Sequence, residues 1–179
     1  GLMTAGRRWL AALVEPPPVR KSPAAHLALA PHVLVAIDPT YGSEALLQSL
    51  RDAVRRIIAG EAHWRLSCVT VLEPSVLTEQ EEGAEIMRSL HTQRLVELHH
   101  WAQPLDLAQE RLRFHVLEGG DVATRLIEYA RASHVDHIIV GARGSSGLRR
   151  FLGSVSSRIV AEAPCTVTVV RVIPFPDHP

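Results

Sequence analysis

Gly141, Gly144, Gly147 and Gly153 punctuate the segment VGARGSSGLRRFLGSVSS, which runs from Val140 to Ser157 and closes on Ser154, Ser156 and Ser157. Glycine lets a backbone approach a ligand closely and adopt φ > 0, as expected here of Gly141 and Gly144. Gly153 and Ser154 stand directly ahead of a helical pattern. The N–H groups of Ser154, Val155 and Ser156, the serine hydroxyls and the helix dipole would therefore converge there and favour an anion. The plainer reading is a tight strand-to-helix turn with Ser154 as an N-cap. Two glycine clusters on one connection tip the balance toward a phosphate cradle.

The cations available to such a cradle are restricted. Lys21 is the only lysine among the 19 basic residues, and it lies in a proline-rich stretch far from the glycines. A phosphate-loop lysine or a Schiff-base lysine is excluded from the cradle, which must use backbone, hydroxyls and arginine. Arg143 is the arginine to weigh for a phosphate, whereas Arg149 and Arg150 read as a solvated helix face. A second chemical candidate is Asp38, with Pro39 and Thr40, directly after the apolar run VLVAI. Its carboxylate could meet a ribose hydroxyl or magnesium, or could cap the helix that begins near Ser43.

Other chemistry finds less support. No Ser-His-Asp arrangement with an elbow motif and no acid–base pair stands out, so turnover is expected to be slow at most. His99-His100 and His134 with His137 lack a partner cluster at metal-ligand spacing. Cys68 and Cys165 lie in apolar runs and read as small buried hydrophobes of a reducing compartment. Basic and acidic residues balance at 19 each, and aromatics are only 4%. Nucleic-acid binding is therefore disfavoured, for want of both charge and stacking surface. No apolar stretch approaches the ~18 residues of a membrane span, so a cytoplasmic protein is expected.

The elements that would position these residues are legible from periodicity. Residues 1–30 read as a proline-rich extension, loosely docked or disordered, and 174–179 as a tail; 31–173 read as one domain. Within it, strands are expected at 33–38, 64–72, 111–119, 136–142 and 165–172. Helices are expected from Ser43 to a Gly60 C-cap, over 78–102, over 122–133 with Asp121 as N-cap, and over 155–163. A further helical stretch is expected at 105–109, after Pro104. The stripe of the second long helix reads Ile86, Leu90, Leu95, Leu98. Continuous apolar strands alternating with helices predict an α/β fold with a parallel sheet. Such sheets bind ligands beyond the C-terminal ends of their strands. That edge would gather Asp38, Pro39 and Thr40, Val71 and Leu72, Gly119 and Gly120, and the Gly141–Ser157 segment.

The run VGARGSSGLRRFLGSVSSRIVAEAPCTVTVVR resembles the C-terminal signature of the universal stress protein family, and VLVAIDPTYGSEALLQSL resembles its first strand, acid and helix. The similarity spans about residues 31–173. ATP-binding members carry Gly-x-x-Gly, nine residues, then Gly-Ser or Gly-Thr; here eight residues separate Gly144 from Gly153. One residue fewer turns a helical stretch by about 100°. The resemblance implies a Rossmann-like five-stranded parallel sheet of order 3-2-1-4-5 with helices on both faces. It also implies a homodimer through the last strand (165–172) and ATP as ligand, with Mg2+ an optional companion. Asp38 would then lie near ribose or adenine, and Val69 or a neighbour near adenine. Gly141 and Gly144 would form the ribose and phosphate turn, and Gly153, Ser154 and Ser156 the phosphate-binding helix start. A partner-binding module of the same fold that holds no nucleotide is the alternative. An adenylyl-transferring enzyme is disfavoured, because Asp-Pro-Thr-Tyr-Gly-Ser replaces the phosphate loop it needs after the first strand.

Overall fold

The computed structural model describes residues 30–73, 81–142 and 152–172. Five strands form one parallel sheet: β1 (His32–Ala36), β2 (Arg65–Leu72), β3 (Leu112–Glu118), β4 (His137–Gly141) and β5 (Thr166–Val170). Their spatial order is β3-β2-β1-β4-β5, as expected. Four helices connect them: α1 (Glu44–Ala59), α2 (Glu81–Ala102), α3 (Val122–Ala132) and α4 (Ser154–Glu162). The chain's direction across the sheet reverses between β1 and β4, which makes their C-terminal ends the switch point.

Both faces of the sheet are covered. Val33, Val35, Leu66, Cys68 and Ile139 pack under α1 and α2, with Leu50, Val54, Leu98 and Trp101 opposite them. Leu34, Val69, Ile138 and Val140 pack under α3 and α4, against Leu126, Ile127 and Ile159. Alternate residues of one strand thus serve opposite cores, which is why the strands read as unbroken apolar runs.

Several local expectations are corrected. The stretch 105–109 is not helix: a 3-10 turn at Gln103–Leu105 ends on Asp106 at φ 49°, and a second turn follows at Gln109–Arg111. Pro104 permits the first turn but cannot continue the α-helical ladder. Gly60 is the C-cap of α1 as expected, with right-handed backbone at φ −81° and its N–H donating to the Ile58 carbonyl. On α2 the residues turned inward are Met87, Leu98 and Trp101, while Ile86 is 46% exposed. Trp101 decides that rotation, because its indole N–H donates to the Leu47 carbonyl of α1 at 3.0 Å.

Arginines do much of the clamping between elements. Arg51 Nε donates to the Trp101 carbonyl at 2.8 Å, and Arg55 reaches the Pro104 carbonyl at 2.8 Å. Arg111 lies 5.0 Å over the Trp64 ring. Each planar guanidinium meets a carbonyl or ring at the end of α2 or beside β2. No helix among the described residues is long and apolar enough to cross a membrane.

Candidate functional site

β1 ends at Ala36, and Asp38 begins a tight turn. Asp38 Oδ1 accepts from the N–H of Tyr41 at 3.0 Å and of Thr40 at 3.3 Å, while its carbonyl accepts from Gly42 N–H at 3.0 Å. The helix cap is Ser43 instead, whose hydroxyl oxygen accepts from Leu46 N–H at 3.1 Å. Asp38 therefore shapes the turn and leaves capping of α1 to Ser43. Gly42 is required by close approach, because a Cβ there would lie 2.5 Å from the Asp38 carbonyl oxygen. Thr40 Oγ1 donates to Glu97 Oε2 of α2 at 3.0 Å, which fixes the turn laterally. Glu97 is itself held by Gln93 at 3.2 Å and Arg94 at 3.4 Å.

β4 lies beside β1 with Val35 level with Ile139, so Ile37 stands level with Gly141. The Asp38 turn and the end of β4 thus flank the switch point. Gly141 has no positive φ, contrary to expectation; among the described glycines none has. Its small size serves packing, since an added Cβ would lie 2.9 Å from both methyls of Leu46 on α1. Arg143 and Gly144 lie outside the described residues.

α4 follows β4 and is tied by Arg158 to Asp121, just after β3. Its first ladder bond runs from Ser157 N–H to the Gly153 carbonyl at 2.9 Å. The N–H groups of Ser154, Val155 and Ser156 precede that ladder, as at any helix start. Gly153 brings no side-chain cap. Ser154 is exposed, whereas the Ser156 hydroxyl is buried and donates back to the Gly153 carbonyl at 3.1 Å. The helix start therefore presents backbone donors and one exposed hydroxyl.

Three predicted residues stand apart from this cluster. Val69 is fully buried beneath α3, with its carbonyl accepting from Ile37 N–H at 2.9 Å; Val71, two residues on and on the same face, is only half-buried. Gly119 and Gly120 follow β3, two strands from β1, and Arg125 of α3 fills the space beside Gly119. At the same edge Asp121 accepts from the Thr124 hydroxyl and pairs with Arg158 of α4. These two partners hold its carboxyl below the usual range, the Thr124 hydroxyl foremost. Asp121 precedes α3 at the N-cap position, yet its side chain makes no cap bond.

Sequence reasoning missed Glu97, Leu46 and Arg158. Glu97 and Arg158 lie on helix faces that look solvated, and only the folded chain shows which loop each reaches.

A five-stranded parallel sheet of order β3-β2-β1-β4-β5 with helices on both faces defines a doubly wound α/β domain. Residues 30–171 match the universal stress protein family. The chain belongs to that family. A universal stress protein of Methanocaldococcus jannaschii is 28% identical over 137 residues, covering 74% of this chain and 79% of the relative. Among solved structures, the universal stress protein UspA of Lactobacillus plantarum superposes with TM-score 0.62 at 22% identity, over 79% of this chain and 97% of the other. A universal stress protein crystallised in complex with cAMP superposes with TM-score 0.57 at 21% identity, over 80% and 98% of the two chains.

Proposed function

We propose that this chain is a regulatory stress-response module that binds ATP, in the cytoplasm and as a homodimer, with little or no hydrolysis. The observation that carries the reading is the start of α4. There, three backbone N–H groups lie ahead of the helical ladder next to the exposed Ser154 hydroxyl, and helix dipole and donors both favour phosphate. Asp38, Pro39 and Thr40 would face the ribose, and Val71 would offer apolar contact to the base in place of the buried Val69. Arg143 and Gly144 would complete the phosphate turn. The cAMP complex of a structural neighbour supports adenine nucleotides as the ligand class.

The donor set fits phosphate, and it sets what these residues do. The α4 N–H groups bind and orient the phosphates. Magnesium, when present, would be held mainly by phosphate oxygens and water, and would supply charge neutralisation. Slow turnover would follow from the lack of any lysine within residues 31–173, Lys21 being the only one in the sequence. Dimerisation would use β5, an edge strand whose Val167 and Val169 are only half-buried.

Thermal unfolding with and without nucleotide tests the reading. Ligand at 100 times its dissociation constant stabilises by about 2.7 kcal/mol, a shift of several degrees. Wild type is expected to shift with ATP and Mg2+, and the Gly153→Val, Ser154→Ala double variant to shift far less. An unshifted wild type at millimolar nucleotide would favour the partner-binding alternative.

A further inference from the structure

The sheet face beneath α3 carries a polar chain that the switch-point crevice does not use. His32 on β1 is 6% exposed and Ser67 on β2 is 1% exposed. His32 Nδ1 lies 3.1 Å from the Ser133 carbonyl, at the C-terminal end of α3. A carbonyl only accepts, so Nδ1 carries the hydrogen and Nε2 is the acceptor. The Ser67 hydroxyl then donates to Nε2 at 2.6 Å, and the Tyr129 hydroxyl of α3 donates to Ser67 at 3.2 Å. Every hydrogen bond points one way, from Tyr129 through Ser67 and His32 to Ser133. A serine–histidine nucleophile pair is excluded here, because no reactant reaches a hydroxyl this deeply buried.

Charges facing His32 come from each element around it. Arg65 of β2 and His115 of β3 oppose a proton on the ring, while Asp136, just before β4, favours one and accepts from the His32 N–H at 2.7 Å. Tyr129 faces it from α3, with the His115 ring 5.1 Å from the Tyr129 ring. Burial is the largest influence and places the ring below its ordinary 6.5, so His32 is neutral at neutral pH.

We propose that the Tyr129–Ser67–His32–Ser133 chain is a proton-operated latch, closed while His32 is neutral, that fastens the last turn of α3 to β1 and β2. One solvent proton on Nε2 meets the Ser67 hydroxyl head-on. Ser67 must then turn its hydrogen toward Tyr129, and the Tyr129 hydroxyl must turn toward water. Reversal gives up the Tyr129 bond to Ser67, whereas the Ser133 carbonyl favours the charged ring and keeps its bond to Nδ1, so acidification loosens α3 at Tyr129, at the edge of the sheet opposite the switch point.

The test follows α3 amide exchange in the full chain, corrected for intrinsic rates, alongside side-chain NMR titration of His32. His32 is expected to titrate below 6.5, and exchange from the last turn of α3 to rise about tenfold per pH unit between 6.5 and that lower value. His32→Gln keeps one donor and one acceptor, and should abolish this pH dependence. Tyr129→Phe removes the group to which a reversed Ser67 would donate, so it should move the His32 midpoint lower; this arm stands if His32→Gln fails to fold. Titration of His32 at or above 6.5, α3 protection that ignores it, or an unmoved midpoint in Tyr129→Phe would overturn the latch.

Discussion

Thr40 ties the turn after β1 to α2 through its bond to Glu97 at 3.0 Å. Glu97→Ala leaves the Thr40 hydroxyl without that partner and frees the turn that would meet the ribose. One such bond is worth about 1 kcal/mol, so ATP affinity is expected to fall about fivefold, read by competition binding, with the fold unchanged. Gly42→Ala strikes the same turn from within, since its Cβ would lie 2.5 Å from the Asp38 carbonyl. A stability loss of about 1–3 kcal/mol in urea unfolding is expected. Cys68 gives a third residue-level test. Burial pushes its thiol up to about 12, so it should resist thiol reagents at mildly alkaline pH until the domain unfolds, while half-buried Cys165 reacts earlier. Asp38 was legible as the residue that follows the first strand, because an acid directly after a buried apolar run is conspicuous; the structure places it at the start of the turn after β1. Glu97 was not legible, because its partner is distant in sequence and its own helix explains its charge equally well.

At the scale of elements, the strands were legible as apolar runs buried on both faces, and α1 and α3 by the helical period of their buried residues. Boundaries shifted by a residue or two where strands end in turns, as with β1 ending at Ala36 and not at Asp38. The 105–109 stretch failed because its apolar residues answer to tertiary packing: Leu105 is buried against the α1–α2 core, in a 3-10 turn that ends on left-handed Asp106. Gly141 shows the same limit, since its glycine is demanded by Leu46 of the facing helix. Gly141→Ala should therefore destabilise by about 1–3 kcal/mol, and Leu46→Ala should relieve part of that loss. Additive losses in that double-mutant cycle would contradict direct packing between β4 and α1.

For the molecule as a whole, pH enters through its half-buried and buried histidines. His32, His115 and His137 all sit below the ordinary 6.5, in each case chiefly because burial disfavours the charged ring. The unfolded chain then binds more protons just below 6.5, so their contribution is full above that value and is lost as pH falls through the folded values. Urea midpoints should drop from pH 7 toward about pH 5, and a flat profile would contradict the three shifts. Family membership and sheet order establish the architecture, and the ligand is the claim that most needs measurement. Calorimetric titration of the full chain with ATP and Mg2+ tests it most directly. The account predicts saturable binding at one nucleotide per chain that weakens in the Gly153→Val, Ser154→Ala variant; no heat from the wild type at millimolar nucleotide would contradict it.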